Sequence, residues 1–416
     1  MTAVRDADLL LPEGTRLLHI GPQKTGTTAI QFALNRSREQ LREHGVVVPG
    51  KGPRPLKAVW SLLGTPDGRP QPPIKHWDNL VRQVEEAGDL RVCISTEDWA
   101  RVDLDGAKQT VAGLGGERAH VVATARRLDK LLPSQWQQRV KMRRITLTYD
   151  EWLERVLGDD TSDPHWRNLW VPHDIGSLVD RWTEAAGGRD RFTLIVADEA
   201  DHGLLPRVFE QLLGLPESIL ALSETDKKNS SVSLGRADMI RRINLLAETK
   251  GWPDAYTTGP VRLGLTQLVK DAAAWPEEIK SPPLPGWAAE RLRELSDRRA
   301  ELVAGLDIRV VGDPDNLRVP EGTSLEGTPV GTIMVSAELA ADAVELAIDG
   351  ALEEQRALLD ERDRQIARLR NRVERLRKRA NRADRSAPGL EGVSGRELVR
   401  ELGRRAGRRA GLRSRR

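Results

Sequence analysis

The sequence predicts an α/β fold in which a parallel sheet is flanked by helices and is followed by a C-terminal coiled-coil helix and a basic tail. Three observations predict this arrangement. Short apolar runs alternate with helical patterns from about residue 14 to residue 318. A loop rich in glycine and threonine joins the first apolar run to the first helical pattern. Apolar residues then recur seven positions apart, and an arginine-rich end follows them.

The predicted strands are apolar runs that are too short for helices. They are TRLLHI (15–20), VVVP (46–49), LRVCIST (90–96), AHVVATA (119–125), RFTLIVA (191–197) and LDIRVVG (306–312), the last as an edge strand. Such uninterrupted runs are typical of strands that helices cover on both faces, so we expect the sheet to be parallel.

Helical periodicity fills much of the sequence between these runs. The predicted helices are 27–45, 77–88, 203–215, 235–248 and 288–303. Glycines end the first two, as is common at helix C-termini.

Length and composition limit the function classes. The chain has 416 residues, 39% of them hydrophobic, which is enough for one large domain or two smaller ones. A single cysteine, Cys93, excludes a disulfide framework and a cysteine-rich metal site. The N-terminus does not resemble a signal peptide, and no apolar stretch approaches the roughly 18–20 residues of a membrane span. We therefore expect a soluble, cytoplasmic protein.

The chain divides into four predicted regions. Residues 14–318 form the α/β domain, and residues 319–337, with the Pro- and Gly-rich sequence just before them, form a linker. Residues 338–385 form a helical segment, and 386–416 form a basic, flexible tail. Residues 351–416 carry 21 Lys and Arg against 10 Asp and Glu, a net charge of +11, which leaves −8 for residues 1–350. The tail is expected to meet an anionic membrane or polymer, peripherally at the inner membrane face, rather than a specific nucleic acid. A merely solvated arginine-rich tail is the alternative.

Apolar residues spaced by seven predict the coiled coil. They are Leu352, Leu359, Ile366, Val373 and Ala380, with Leu369 and Leu376 at the companion positions. Gln355 and Arg362 occupy the earlier companion positions, so the pattern is strongest from Ile366 onward. We expect residues 352–380 to form a homo-oligomer, most simply a dimer. The alternative is a single solvated helix held by charge pairs.

The loop GPQKTG, between the first strand and the first helix, has the order of a phosphate-binding loop. Gly21 and Gly26 have the spacing found in nucleotide hydrolases, but Thr27 stands where those enzymes have lysine. The lysine lies three residues earlier, at Lys24. This position suits a ligand in which the loop grips one phosphate while Lys24 meets a leaving oxygen.

HIGPQKTGTTAIQ resembles the 5′-phosphosulfate loop of sulfotransferases that use 3′-phosphoadenosine 5′-phosphosulfate (PAPS), in particular the bacterial members. The resemblance covers roughly residues 15–318 and implies a P-loop-like sulfotransferase domain. It implies that cofactor-binding residues in this loop are Gln23, Lys24, Thr25, Gly26, Thr27 and Thr28.

A second motif of the family is a strand, an arginine, and a serine eight residues later at a helix start. AHVVATARRLDKLLPSQWQQRVK supplies Arg126 and Ser134, which by resemblance hold the 3′-phosphate. A guanidinium suits bidentate phosphate contacts. Lys228, in KKNSSVSLGRADMIRRIN, resembles a further cofactor contact of bacterial relatives. The chain departs from the cytosolic members at Ala29, where they have an adenine-stacking tryptophan, and it lacks their glycine-rich 3′-phosphate loop.

The resemblance implies transfer of the sulfuryl group from PAPS to a hydroxyl or amine of an unidentified acceptor, with a glycan or glycolipid among the candidates. Lys24 would be catalytic by stabilising the departing phosphate, without a metal. Glu97 is the candidate base because it follows a predicted strand. The alternative for Glu97 is an ordinary acid in a helix first turn capped by Ser95 or Thr96.

Several other aromatic and histidine residues are candidates for the site. His44 and His76 are the alternative bases, while His19 is expected to pack under the loop. Trp77, Trp99, Trp136 and Trp166 lie near predicted site loops, where tryptophan can stack on sugars, although core packing explains most of them. Two other functions compete: a P-loop nucleotide kinase or NTPase, and a non-catalytic coiled-coil scaffold with a degenerate PAPS site.

Overall fold

A computed structural model describes residues 9–65, 70–142, 145–222, 234–251, 282–326 and 337–386, together with 395–396 and 399–400. Its strands are β1 (Arg16–Gly21), β2 (Val46–Val47), β3 (Arg91–Ser95), β4 (Ala119–Ala125), β5 (Phe192–Val196) and β6 (Arg309–Val311). They form one sheet in the order β2-β3-β1-β4-β5-β6, and every neighbouring pair is parallel. The predicted parallel sheet is therefore confirmed.

Each predicted strand appears in this sheet. VVVP contributes only two residues, and LDIRVVG supplies the expected edge strand β6. The central strands β1 and β4 are buried along their whole length. Leu18 packs into the apolar cluster on one face of the sheet and Leu17 into the cluster on the other, which explains why these strands lack polar alternation.

Helices cover both faces of the sheet. They are α1 (Thr27–Arg36), α2 (Arg38–Glu43), α3 (Leu56–Leu63), α4 (Lys75–Glu85), α5 (Leu104–Leu114), α6 (Leu128–Lys141), α7 (Tyr149–Leu157), α8 (Pro164–His173), α9 (Ile175–Ala186), α10 (Leu204–Leu213), α11 (Leu234–Thr249), α12 (Gly286–Ala304) and α13 (Ala337–Ser386). A third apolar cluster joins α6, α7, α8, α11 and α12 to one another.

The single helix predicted over 27–45 is wrong. The chain leaves helical geometry at Ser37, between α1 and α2. The Ser37 hydroxyl donates a hydrogen bond of 3.0 Å to the Ile219 carbonyl, and Arg36 donates to Ala221. The first helix therefore ends where its side chains bind a distant segment, which periodicity alone does not show.

The C-terminal helical segment is one long helix, α13, whose bounds are close to the predicted 338–385. Its pairing as a coiled coil stays a prediction, as do the domain boundaries and the linker. Most of the predicted tail lies outside the described residues. Among the helices that the structure describes, none combines the length and apolarity needed to cross a bilayer.

The order of strands creates a crevice at one edge of the sheet. After β1 the chain moves to β2 on one side, whereas after β4 it moves to β5 on the other. Loops that leave neighbouring strands in opposite directions open a gap above their C-terminal ends, where open α/β sheets bind ligands. The loop of residues 22–26 and Arg126 both lie there, directly after β1 and β4.

Candidate functional site

The loop of residues 22–26 is shaped for an anion. Lys24 has φ 67° and Gly26 has φ 92°, so two residues adopt the left-handed region. Gly26 is also the N-cap of α1 and has no side chain to accept from the first-turn amides. The Thr25 hydroxyl donates to the Pro22 carbonyl at 2.7 Å and closes the turn. Unpaired amides at a helix start favour a negatively charged group.

Arg126 connects this loop to the next strand. Its Nη1 donates to the Lys24 carbonyl oxygen at 3.2 Å, across 102 residues of sequence. Its Nε and Nη2 donate to the two carboxylate oxygens of Glu199 at 2.5 and 2.8 Å. Glu199 lies in the segment after β5. The structure thus brings the two predicted phosphate motifs together and shows the Arg126 guanidinium engaged by a planar anion.

Ser134 does not lie near a helix start, which corrects the predicted geometry. Helix α6 begins at Leu128, so Ser134 is in its second turn, where it is half-buried. The helix begins early because Leu128, Leu131 and Leu132 continue the apolar face up to the strand.

The next residue of α6, Gln135, contacts the loop instead. Its Nε2 donates to the Gln23 carbonyl at 3.1 Å and lies 2.9 Å from His173 Nε2. Gln135 is almost fully buried, so this pair holds the loop from the side of α6.

Glu97 is buried at the end of β3 and has two side-chain partners. Its Oε1 lies 2.5 Å from Arg54 Nη1, and its Oε2 accepts from Gln31 Nε2 at 2.9 Å. A Cβ on Gly21 would lie 3.0 Å from the Glu97 Cβ, so glycine is needed for this approach of the two segments. Thr96 caps a 3₁₀ turn that begins at Glu97, as the helix-start interpretation expects, while the role of Glu97 as a base stays a prediction.

His19 packs beneath the loop, as predicted. Its Nδ1 lies 2.8 Å from the Ser95 hydroxyl, and its ring meets Phe209 edge-on at 4.9 Å. Burial lowers the pKa of His19 to about 3. The ring is therefore neutral and serves as packing rather than as a charged group.

Positive charge is concentrated around the loop. Burial and the charge of Arg126 lower the pKa of Lys24, while Glu97 raises it. Burial and the charge of Lys24 lower the pKa of Lys141, at the end of α6, to about 8. Because these cations disfavour one another, a bound anion would stabilise both in their charged form. No group of metal-ligating side chains is found among the described residues.

The remaining predicted cofactor-binding residues differ in their exposure, and one of them lies outside the described residues. Thr25 and Thr27 are buried, whereas Thr28 is exposed. Ala29, in place of the adenine-stacking tryptophan, is half-buried. Lys228, with its neighbours in 227–229, lies outside the described residues.

The alternative residues are elsewhere. His44 is exposed at the end of α2, and His76 is half-buried in the first turn of α4. The buried tryptophans confirm the core-packing interpretation for Trp77, Trp99 and Trp136. Trp166 is half-buried and lines a cavity of about 290 Å³ between α8 and α12.

Sequence reasoning missed four residues that make hydrogen bonds in the site, Gln31, Arg54, Gln135 and Glu199. It also missed Lys141, whose charge interacts with that of Lys24. A usable signal existed for Glu199, because it follows a buried strand as Glu97 and Arg126 do. Gln31 stands one helical turn after Thr27, where its face could have been predicted. Arg54 lies in a proline- and glycine-rich loop that gives no such signal.

A second cavity, of about 300 Å³, lies between α3 and the segment that follows Glu97. Trp60, Leu63, Asp98, Arg101 and Val102 are among the residues that line it. Trp60 Nε1 donates to the Asp98 carboxylate at 3.1 Å. Burial and the neighbouring Glu97 raise the pKa of Asp98. The cavity offers an indole ring and hydrogen-bonding groups, among them Asp98, which follows the candidate base Glu97 in sequence.

Comparison with known proteins gives a distant likeness to a solved structure. No protein-family model matches the chain, and no curated protein matches it closely. The solved structure of a sulfotransferase from Alicyclobacillus acidocaldarius resembles it with a TM-score of 0.34 and 14% sequence identity, over 56% of this chain and 94% of the other. The function is therefore inferred from the residues of the site.

The neutral, buried His19 predicts a pH dependence of stability. Its folded pKa of about 3 lies below the unfolded value near 6.5. As pH falls from 7.5 to 5.5, the unfolded chain binds a proton that the folded chain refuses, so His19 lowers the free energy of unfolding by about 1.4 kcal/mol. Denaturant titrations measure the free energy of unfolding at both pH values. Its drop between pH 7.5 and pH 5.5 should be smaller in His19→Asn than in wild type by about this amount. An equal loss in variant and wild type would contradict a neutral His19.

Proposed function

We propose that the chain is a sulfotransferase that takes its sulfuryl group from PAPS. The observation that carries the proposal is the contact of Arg126 with the Lys24 carbonyl, which joins an anion-binding loop after β1 to an arginine after β4. A nucleotide with phosphates at both its 5′ and 3′ positions needs two such anion sites side by side. PAPS is the donor class whose 5′-phosphate also carries a sulfuryl group.

The residues present fit such a donor. The loop amides and Lys24 would hold the 5′-phosphate, and the charge of Lys24 would stabilise it as it departs. Arg126 would hold the 3′-phosphate, with Ser134 of α6 as an added hydroxyl donor. Glu199 supports this role of Arg126, because its carboxylate already accepts the two-pronged contact that a phosphate would accept.

Glu97 is proposed as the base that accepts the proton of the acceptor. Gln31 fixes one carboxylate oxygen, and Arg54 holds the other. Arg54 is 37% exposed, so its side chain has room to move away from Oε1 when an acceptor binds. The charge of Glu97 also raises the pKa of Lys24, which supports placing the two groups in one site.

The acceptor is proposed to enter through the cavity beside Asp98. Its indole ring and carboxylate suit a hydroxyl- or amine-bearing compound, with glycans, glycolipids and small metabolites as the candidate classes. Enzyme action in the cytoplasm, with peripheral contact to an anionic surface through the C-terminal arginines, belongs to the same proposal.

Nucleotide binding tests the proposal against its alternatives. We expect 3′-phosphoadenosine 5′-phosphate to bind the purified full chain, and Arg126→Ala and Lys24→Ala to weaken it about 10- to 100-fold, because each removes a charged hydrogen-bonding partner. Isothermal calorimetry measures both. Arg127→Ala is the control, since Arg127 pairs with Asp129 at 2.9 Å. Binding of ATP–Mg²⁺ without the first ligand would favour a kinase or NTPase, and binding of neither would favour a scaffold.

Replacing Glu199 should tighten binding of the same ligand. Glu199→Gln frees the Arg126 guanidinium from a charged competitor, so the dissociation constant should fall roughly three- to tenfold. Asp201→Asn is a matched control in the same segment, because Asp201 pairs with Arg207. An unchanged or weaker affinity in Glu199→Gln would mean that Arg126 does not receive a phosphate.

Replacing the proposed base Glu97 should reduce turnover. Transfer from ³⁵S-labelled PAPS to a panel of alcohols, sugars and amines should fall by about 10²-fold or more in Glu97→Gln. Affinity for 3′-phosphoadenosine 5′-phosphate should stay close to wild type, which separates a lost base from a damaged site. A rate near that of wild type would exclude Glu97 as the base and would favour His76 as the alternative base.

A further inference from the structure

Helix α13 presents an apolar stripe to solvent. Its members are between 37% and 60% exposed, although each is large enough for a protein core; they are Ile348, Leu352, Leu359, Ile366, Leu369, Val373 and Leu376. They recur at steps of four, seven, seven, three, four and three residues, which keeps them along one side of the helix. An unpaired stripe of this length is a surface for another helix.

The two halves of this helix carry opposite charge. Residues 337–363 contain nine acidic and two basic residues, a net charge of −7. Residues 364–386 contain two acidic and ten basic residues, a net charge of +8. The stripe runs through both halves, so any partner helix has to match an acidic and then a basic flank.

We propose that α13 pairs with α13 of a second copy of this chain in antiparallel orientation, an inference that goes beyond the proposed activity. Reversing one helix sets its acidic half against the basic half of the other, and two identical helices then satisfy each other. A parallel pair would set like against like. In that orientation Arg372 of one copy would flank Arg377 of the other, and between residues 349 and 377 no pair of flanking positions would join opposite charges.

The flanking residues also select a register. Two layers of the stripe meet when Leu352 faces Leu369 of the second copy and Ile348 faces its Val373. In that register Asp349 flanks Arg370 of the second copy, and Arg356 flanks its Asp363. All four flanking side chains are exposed. Shifting the register by one heptad either way places Arg356 beside another arginine, so opposite charges favour the first register.

Cysteine cross-linking of the full chain tests orientation and register together. The native Cys93 is fully buried, so wild type is expected to give no background. Leu352→Cys and Leu369→Cys should each fail to cross-link alone but form a disulfide-linked dimer when mixed and oxidised. Cross-linking of each variant with itself would overturn the antiparallel orientation. A monomeric mass in sedimentation of the wild-type chain would overturn pairing altogether. If that monomer bound phosphatidylserine vesicles, the partner of the stripe would be a membrane and not a second copy.

A charge exchange gives an independent readout. Asp349→Arg and Arg370→Asp should each raise the dissociation constant of the dimer by about threefold or more, because each places like charges together twice per dimer. The double variant should recover wild-type affinity, since the exchanged charges again attract. Losses that simply add in the double variant would contradict the register. Nucleotide binding should be unchanged throughout, which keeps this test separate from the proposed activity.

Discussion

The parallel direction of the strands is the constraint on which the candidate site depends. Lys24, Glu97, Arg126 and Glu199 are spread over about 175 residues, yet each follows the C-terminal end of a strand. Since β1, β3, β4 and β5 all run the same way, these ends lie along one edge of the sheet. An antiparallel neighbour would have sent one of these groups to the opposite edge. The sheet thus determines which residues can come into contact, and the loops determine the geometry of those contacts.

Charge compensation decides how the meeting residues are held. Arg126 is fixed between a backbone carbonyl and a carboxylate, and Glu97 between an amide and a guanidinium. Lys24 is the exception, because burial and Arg126 disfavour its charged form and Glu97 compensates only in part. A site with excess buried positive charge is costly for the folded chain alone. A bound anion in the functional state would offset this cost, because its negative charge would compensate the buried positive charge.

Much of the fold was predictable because its signals are local. Six apolar runs gave six strands, and the glycine positions located the loop after β1. The break at Ser37 and the early start of α6 could not be predicted, because each depends on contacts with distant segments. For the site, the glycine-rich loop indicated Lys24, the end of a predicted strand indicated Glu97, and the family resemblance implied Arg126. Arg54 and Gln135 reach it from a loop and a helix face, and only tertiary packing places them.

Antiparallel pairing of α13 would have a consequence for the rest of the chain. A 50-residue helix is about 75 Å long, so antiparallel pairing would set the N-terminal ends of the two helices far apart. The C-terminal half of each helix would then lie along the N-terminal half of the other. Residues 1–350 have a net charge of −8, of which residues 337–350 at the start of α13 contribute −4, and residues 351–416 have a net charge of +11. The part of the chain before α13 is therefore acidic like the first half of the helix, so the charge asymmetry of the whole chain would favour the same orientation as the helix itself.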